Sequence, residues 1–171
     1  MMGDIMLYYL NLFYIYAFLG FLLEFFLKNF IFHSMNSGIM YGPYLPVYGF
    51  GALFVIFVEK LIFRSREIPR LFRLFFTFLL LAIFLSVLEY LGGILIEALF
   101  HKTFWDYSGM KFNIGKYASL EMALVWGVGS LFIIYIIQPF VEKFIKKIPI
   151  LVTVFVSLVF VVDFILTFLF R

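Results

Sequence analysis

The chain has 171 residues, of which 65% are hydrophobic, 23% aromatic and 13% charged, and its mean hydropathy is +1.12. Soluble globular proteins average roughly half apolar and about a quarter charged residues, so these proportions exclude a soluble globular domain. They predict an integral membrane protein surrounded by the lipid bilayer. The net charge of only +3 leaves no basic stripe, which argues against a nucleic-acid partner.

Five apolar stretches are long enough to cross about 30 Å of hydrocarbon, which takes on the order of 20 residues. They predict an all-α, polytopic helical bundle that forms a single transmembrane domain over residues 1–171. The expected spans are about 6–28, 44–63, 71–99, 118–141 and 149–170. Asp4 stands where a secretory signal would have a basic residue, and no small-residue cleavage site follows, so the first stretch is expected to remain as a span.

The basic residues of the short connections predict the orientation, because cytoplasmic loops are enriched in Lys and Arg. The side that holds the N-terminus collects eight of them, against five on the other side. The eight are Lys60, Arg64, Arg66, Arg70, Arg73, Lys143, Lys146 and Lys147, and the five are Lys28, Lys102, Lys111, Lys116 and Arg171. We therefore expect the N-terminus inside the cell and the C-terminus outside, in a bacterial cytoplasmic membrane.

A segment rich in glycine, proline and tyrosine precedes and enters the second predicted span, over residues 34–51. Irregular backbone at membrane depth is tolerated only where it is buried in protein or lines a cavity. Its tyrosines Tyr41, Tyr44 and Tyr48, together with Trp105 and Tyr107 in the third connection, are placed to stack on a ligand. The alternative is that they belong to the aromatic belts found at membrane interfaces.

Carboxylates inside or at the edges of the spans are the main functional signal, since each costs roughly 2.5–3.5 kcal/mol at a helix centre when charged and unpaired. They are Glu24, Glu89, Glu97, Glu121 and Asp163. With alternating span directions all five fall in one leaflet, and Asp106 lies in the loop just above it. One interpretation is a polar pocket, open to the non-cytoplasmic side, that holds a cation, a proton or a polar substrate group. The other is that these groups reach water, interfacial lysines or hydroxyls of neighbouring helices.

Two similar runs, GFLLE and GILIE, end at Glu24 and Glu97. A glycine one turn before the acid lets a neighbouring helix approach closely. With Gly49 and Gly127 further along, the runs suggest that the first two spans are repeated as the third and fourth, although the Glu-to-Gly spacings differ, 25 against 30.

Other chemistries have little support in the sequence. Cysteine is absent, and His33 and His101 are too few to form a metal cluster without carboxylates, so neither a metal nor another cofactor is expected. The motifs GxSxG, GxxxxGK and HExxH are missing, so we assign no catalytic residue and no P-loop ATPase activity.

Several separated motifs occur in order along the chain: YGPYLPVYGFG at residues 41–51, Leu88–Tyr90, Trp105–Ser108, Phe112–Asn113 and Trp126–Gly127. This pattern resembles the ABC-transporter type IV permease family, small bacterial multi-span membrane proteins. The resemblance covers about residues 19–142. Departures from the pattern at Ser119 and Ala123, and a variable fifth span, leave any role of Asp163 in doubt.

The resemblance implies a permease-type transport component that works with a separate ATPase. Five spans are few for a transport path, so a homo-oligomer is expected as well. The candidate substrate-binding residues are Glu24, Glu89, Glu121, Tyr41, Tyr44, Tyr48, Trp105, Asp106 and Asn113.

Two other functions remain open at this stage. One is a membrane-embedded enzyme that acts on a lipid or lipid-linked substrate, with Asp106 or a glutamate as general acid or base near His101. The other is a non-catalytic regulatory or assembly subunit, in which the acidic residues serve folding alone.

Overall fold

A computed structural model describes residues 2–27, 40–62, 68–101, 103 and 105–170. Several sequence-based expectations lie outside these residues: His33, the start of the Gly/Pro/Tyr segment at 34–39, and the cations Lys28, Arg64, Arg66, Lys102 and Arg171.

The described chain is almost entirely helical. Its helices are α1 (Met2–Leu27), α2 (Pro46–Ile62), α3 (Arg70–Phe100), α4 (Leu120–Phe132), α5 (Gln138–Ile145) and α6 (Ile150–Phe170). A π-helical turn, Ile133–Ile137, joins α4 and α5 into one continuous rod. Between α3 and α4 lies a small antiparallel hairpin of β1 (Asn113–Ile114) and β2 (Ala118–Ser119), in which Asn113 pairs with Ser119. The sequence analysis did not predict this hairpin.

Within the described residues, four helical stretches are long and apolar enough to cross a membrane: Gly3–Phe26, Arg70–Leu99, Leu120–Ile145 and Ile150–Phe170. They confirm an all-α membrane bundle and agree closely with four of the predicted spans. The predicted second span is the exception. Helix α2 has 17 residues, about 26 Å at 1.5 Å per residue, and falls short of about 30 Å of hydrocarbon. By length, the described helices therefore provide four spans where the sequence predicted five.

Proline explains where α2 begins. The irregular backbone ends at Leu45, and Pro46 opens the helix at a position where its missing N–H costs no hydrogen bond. The predicted irregular segment is therefore shorter than expected, because Pro46–Gly51 forms the first turns of α2.

The chain divides into two compact units, of residues 1–54 with 139–171 and of residues 55–138. In the first unit α1 packs against α6. The Thr153 hydroxyl donates to Asn11 Oδ1 at 2.8 Å, and the Tyr14 hydroxyl donates to Ser157 Oγ at 2.9 Å. From the first bond to the second, the residue on α1 changes from 11 to 14 and the residue on α6 from 153 to 157. The residue numbers increase together, so α1 and α6 run parallel. Hydrogen bonds of this kind hold membrane helices together where lipid provides no hydrophobic force between them.

In the second unit α3 packs against α4, and the two helices run antiparallel. Gly127 on α4 lies against Phe78 and Ala82, near the middle of α3. Further toward the end of α3, Gly93 lies against Tyr117, which precedes α4. The hairpin thus sits beside the C-terminal end of α3.

Candidate functional site

Asp163 on α6 is the centre of the first unit's polar contacts. Its Oδ1 accepts hydrogen bonds from the Tyr41 N–H at 3.0 Å and the Thr167 hydroxyl at 3.1 Å. Its Oδ2 accepts from the Gly42 N–H at 2.7 Å and the Tyr44 hydroxyl at 2.6 Å. With only 8% of its surface exposed, Asp163 is a buried carboxylate with four donors. The predicted site residues Tyr41 and Tyr44 therefore meet an acid that the sequence analysis left in doubt.

Helix α2 starts against the middle of α1. The Leu45 N–H donates to the Ala17 carbonyl at 2.9 Å, and the Tyr48 hydroxyl is hydrogen-bonded to the Glu24 carboxylate. The Tyr48 ring occupies the space above Gly20, where an added Cβ would lie 2.2 Å from Tyr48 Cγ. The structure therefore joins the predicted residues Glu24 and Tyr48, and it explains the glycine one turn before the acid.

Glu89 on α3 is held by two donors in the second unit. The Tyr107 hydroxyl lies 2.8 Å from Glu89 Oε1, and the Trp126 indole N–H donates to Oε2 at 2.8 Å. The indole N–H can only donate, whereas a tyrosine hydroxyl can donate or accept. The arrangement therefore accommodates Glu89 in its ionised form and in a form protonated at Oε1. Tyr107 was predicted only as a ring that could stack on a ligand, and Trp126 was not predicted as a site residue, although both belong to the motifs that carried the family resemblance.

Glu97, further along α3, is paired with the hairpin. Lys116 Nζ lies 2.7 Å from Glu97 Oε1 and 2.9 Å from Thr103 Oγ1, and the Tyr117 hydroxyl donates to Glu97 Oε2. The hydrogen bond to Glu97 raises the pKa of the Lys116 ammonium. Glu97 thus behaves as the second interpretation of the carboxylates expects, reaching an interfacial lysine.

Glu121 lies in the first turn of α4, and one of its two carboxylate oxygens accepts a hydrogen bond. Its Oε1 accepts the Phe112 N–H at 3.2 Å, whereas its Oε2 is buried and has no hydrogen-bond partner among the described residues. The hydroxyl of Ser86, one turn before Glu89 on α3, is also buried and has no hydrogen-bond partner among the described residues. Both atoms offer hydrogen-bonding capacity that the described part of the protein leaves unused.

The remaining predicted residues build the hairpin region. Trp105 Nε1 donates to the Tyr117 carbonyl at 3.3 Å, and Asn113, which is exposed, donates to the Gly115 carbonyl at 2.9 Å. Asp106 accepts the Ser108 N–H at 2.8 Å, and hydrogen bonding to Ser108 lowers the pKa of the Asp106 carboxyl. The Asp106 carboxylate therefore has its hydrogen-bond partner within the loop itself.

The predicted site residues thus fall into two groups, one in each unit. Glu24, Tyr41, Tyr44 and Tyr48 belong to the first, and Glu89, Trp105, Asp106, Asn113 and Glu121 belong to the second. Two cavities of the second unit are lined by other residues. One, of about 470 Å³, is an open apolar groove along α4 from Leu124 to Phe132, and the other is described below.

The GFLLE and GILIE runs adopt the same local arrangement in the two units. In each, a glutamate one turn after a glycine binds a tyrosine hydroxyl, and the ring of that tyrosine covers the glycine. The tyrosines are Tyr48 and Tyr117. This geometry supports the internal repeat that the sequence suggests.

Adding a methyl group to the second of these glycines is expected to destabilise the protein. In Gly93→Ala the new Cβ would lie 2.3 Å from Tyr117 Cγ, and overpacking of this kind typically costs about 1–3 kcal/mol. Gly92→Ala is the matched control, because nothing lies within 4 Å of a Cβ at Gly92 and alanine favours a helix more than glycine does. Thermal unfolding in detergent should show a lower Tm for Gly93→Ala only, and equal Tm values would contradict the tight contact.

These features together define a multi-span membrane protein in which carboxylates on the spanning helices are hydrogen-bonded to other segments of the chain. The family model described as "Putative ABC-transporter type IV" matches residues 11–170. The chain belongs to this family. No curated protein and no solved structure matches the chain significantly.

Proposed function

We propose that the chain is a permease-type transport component that works with a separate ATPase and holds its substrate at a carboxylate-lined polar pocket in the non-cytoplasmic leaflet. The family description indicates a relation to ABC transporters, and the membrane-spanning helices fit that class. The observation that carries the proposal is Glu89, a carboxylate within a spanning helix whose two oxygens are each held by a fixed side chain.

Glu89 and Glu121 are the proposed substrate contacts. Tyr107 and Trp126 orient Glu89 in either protonation state, so the group can exchange a proton or a cation without a change in its hydrogen-bond partners. The unused oxygens of Glu121 and Ser86 supply further acceptors in the same unit. Intramembrane carboxylates of this kind typically mark ion or proton pathways, so the proposed substrate is a cation, an amine or a proton-coupled solute.

The groups of the first unit have a positioning role in this proposal. Asp163 holds Tyr41, Gly42 and Tyr44, so that irregular backbone is supported at membrane depth. Buried donors and acceptors in such backbone must be satisfied by protein. Asp163 therefore keeps the shape of the segment 40–45 within the first unit.

We further propose that α2, together with the segment 40–45, makes a fifth membrane crossing. Ala17, which accepts the Leu45 N–H, lies ten residues before the end of α1, about 15 Å along its axis, so α2 begins within the membrane and a shorter helix suffices. The parallel direction of α1 and α6 supports this, because four crossings would bring α6 back antiparallel to α1. The positive-inside pattern then places the N-terminus in the cytoplasm.

Native mass spectrometry of the protein extracted gently from its own membrane tests the function. We expect a mass that corresponds to a homo-oligomer with a co-purifying ATPase. The segments 64–70 and 142–147 are the proposed cytoplasmic contacts for that ATPase. Active monomers would contradict the oligomer, and a retained lipid substrate without an ATPase would favour a membrane-embedded enzyme instead.

A further inference from the structure

A polar cavity lies in the second unit, and Glu89, Glu97 and Glu121 are not part of its lining. It has a volume of about 180 Å³, whereas one water molecule needs on the order of 15 Å³. The cavity lies between the last turns of α2 and the π-helical turn. Its lining consists of Ile56, Glu59, Lys60, Ile134, Tyr135 and Gln138.

The π-helical turn accounts for part of this lining. The Gln138 N–H donates to the Ile133 carbonyl, five residues earlier, and so one extra residue is accommodated in the turn. Turns of this type within α-helices are frequently found at functional sites. Here Ile134, Tyr135 and Gln138 all come from the turn or its end, which indicates that the irregularity shapes the cavity.

The charges around the cavity favour an anion. The Glu59 carboxylate forms an ion pair with Arg73 of α3, so its charge is balanced within the protein. Lys60 adds a positive charge to the lining. Among Glu59, Arg73 and Lys60 the positive charges therefore exceed the negative one.

Tyr135 supplies an unused donor. Its hydroxyl oxygen is buried and has no hydrogen-bond partner among the residues that the structure describes. Burying a hydroxyl unpaired is unfavourable, so a ligand oxygen beside it would remove that penalty. Lys60 and Gln138 also line the cavity. An ammonium carries three N–H donors and a side-chain amide two, so each can donate to a ligand in addition to its partner within the protein. A group with several acceptor oxygens and a negative charge matches this set.

We propose that this cavity binds a phosphate group, carried by the headgroup of an anionic lipid or by a soluble phosphate. Basic pockets between membrane helices on the cytoplasmic side recognise anionic lipid headgroups. The cavity lies near the C-terminal end of α2, and in the orientation proposed above this end of the helix faces the cytoplasmic headgroups. This position favours the lipid as the source of the phosphate.

Native mass spectrometry and thermal unfolding of the delipidated full-length chain test the proposal, with phosphatidylglycerol, phosphatidylcholine and inorganic phosphate as probes. We expect phosphatidylglycerol to bind at least tenfold more tightly than phosphatidylcholine and to raise the Tm. Lys60→Gln and Tyr135→Phe should each weaken this binding roughly tenfold, the typical effect of one hydrogen bond to a charged group. Tyr135→Phe should leave the Tm without lipid unchanged or higher, because it removes an unpaired hydroxyl.

Lys147→Gln and Tyr9→Phe are matched controls, because they remove an ammonium and a tyrosine hydroxyl from residues that do not line the cavity. Each should leave the affinity for phosphatidylglycerol within twofold of the wild type. Competition by inorganic phosphate in the wild type, lost in Lys60→Gln, would support a phosphate site filled from solution. Equal weakening by Lys60→Gln and Lys147→Gln would overturn the proposal in favour of general electrostatic attraction. Equal binding of phosphatidylglycerol and phosphatidylcholine, without any binding of inorganic phosphate, would also overturn the proposal.

Discussion

Replacing Asp163 by Asn is expected to destabilise the protein and release the segment 40–45 from α6. Each carboxylate oxygen accepts one backbone N–H, from Tyr41 on Oδ1 and from Gly42 on Oδ2. An asparagine amide presents one oxygen and one NH₂ group, so whichever way it turns, one backbone N–H faces another donor. Leaving such a group buried and unsatisfied costs about 1–3 kcal/mol, and the bonds that remain lose the reinforcement of a charged acceptor.

Thermal unfolding in detergent, together with hydrogen exchange at the Tyr41 and Gly42 amides, measures this effect. Both amides should exchange faster in Asp163→Asn than in the wild type. Thr167→Val is the matched control, because it removes one of the four hydrogen bonds, keeps the carboxylate, and should cost only about 0.5–1.5 kcal/mol. An unchanged Tm with unchanged exchange at both amides would show that Asp163 does not hold the segment.

Replacing Glu89 by Gln is expected to have the opposite profile: transport is lost while the fold is kept. The glutamine carbonyl can accept from the Trp126 indole, and its NH₂ group can donate to the Tyr107 hydroxyl, which also accepts. Both observed contacts therefore survive, and only the ionisable group disappears. We expect the stability to change by less than about 1 kcal/mol, and uptake to fall at least about a hundredfold, in line with the roughly 3 kcal/mol that a charged contact contributes.

The substrate for this assay is identified first. The uptake of cations and amines is compared between a deletion strain and the same strain complemented with the wild-type gene. Trp126→Phe serves as the structural control, since it keeps the Glu89 carboxylate and removes the donor to Oε2. It should lower the Tm, because an acceptor is left without its partner. Wild-type uptake by Glu89→Gln would show that the carboxylate has no role in transport, and a Tm lowered by this substitution would contradict the hydrogen-bond argument.

The contrast between these two acids could not be predicted from the sequence. Both are single carboxylates within apolar helices, and the cost of burying a charge in lipid makes them look equivalent. Asp163 meets two backbone N–H groups, which can only donate, whereas Glu89 meets one side chain that donates and one that does either. What distinguishes the two acids is the chemistry of partners distant in sequence, such as Tyr41 at 122 residues from Asp163.

The sequence by itself determined the membrane class, the family and the bounds of four spans, because a helix that crosses the hydrocarbon by itself needs on the order of 20 mostly apolar residues. The glycines before Glu24 and Glu97 predicted a neighbouring helix at close approach, and in the structure a tyrosine ring lies against each of them, Tyr48 at Gly20 and Tyr117 at Gly93. Local composition carries information of this kind, because it depends on single residues and their nearest turns.

The tertiary structure alone decided the length of α2, the hairpin and the partners of each carboxylate. Pro46 marks the start of α2 in the sequence, but only the folded structure shows that Leu45, just before it, is hydrogen-bonded to α1. The hairpin of Asn113–Ile114 and Ala118–Ser119 is too short to give a recognisable alternation of apolar and polar residues. The partners of the carboxylates lie in helices or loops that folding brings together. A buried acid is stabilised by the hydrogen-bond donors that this packing places around it. Such pairings follow from the packing of distant segments, which no single stretch of sequence records.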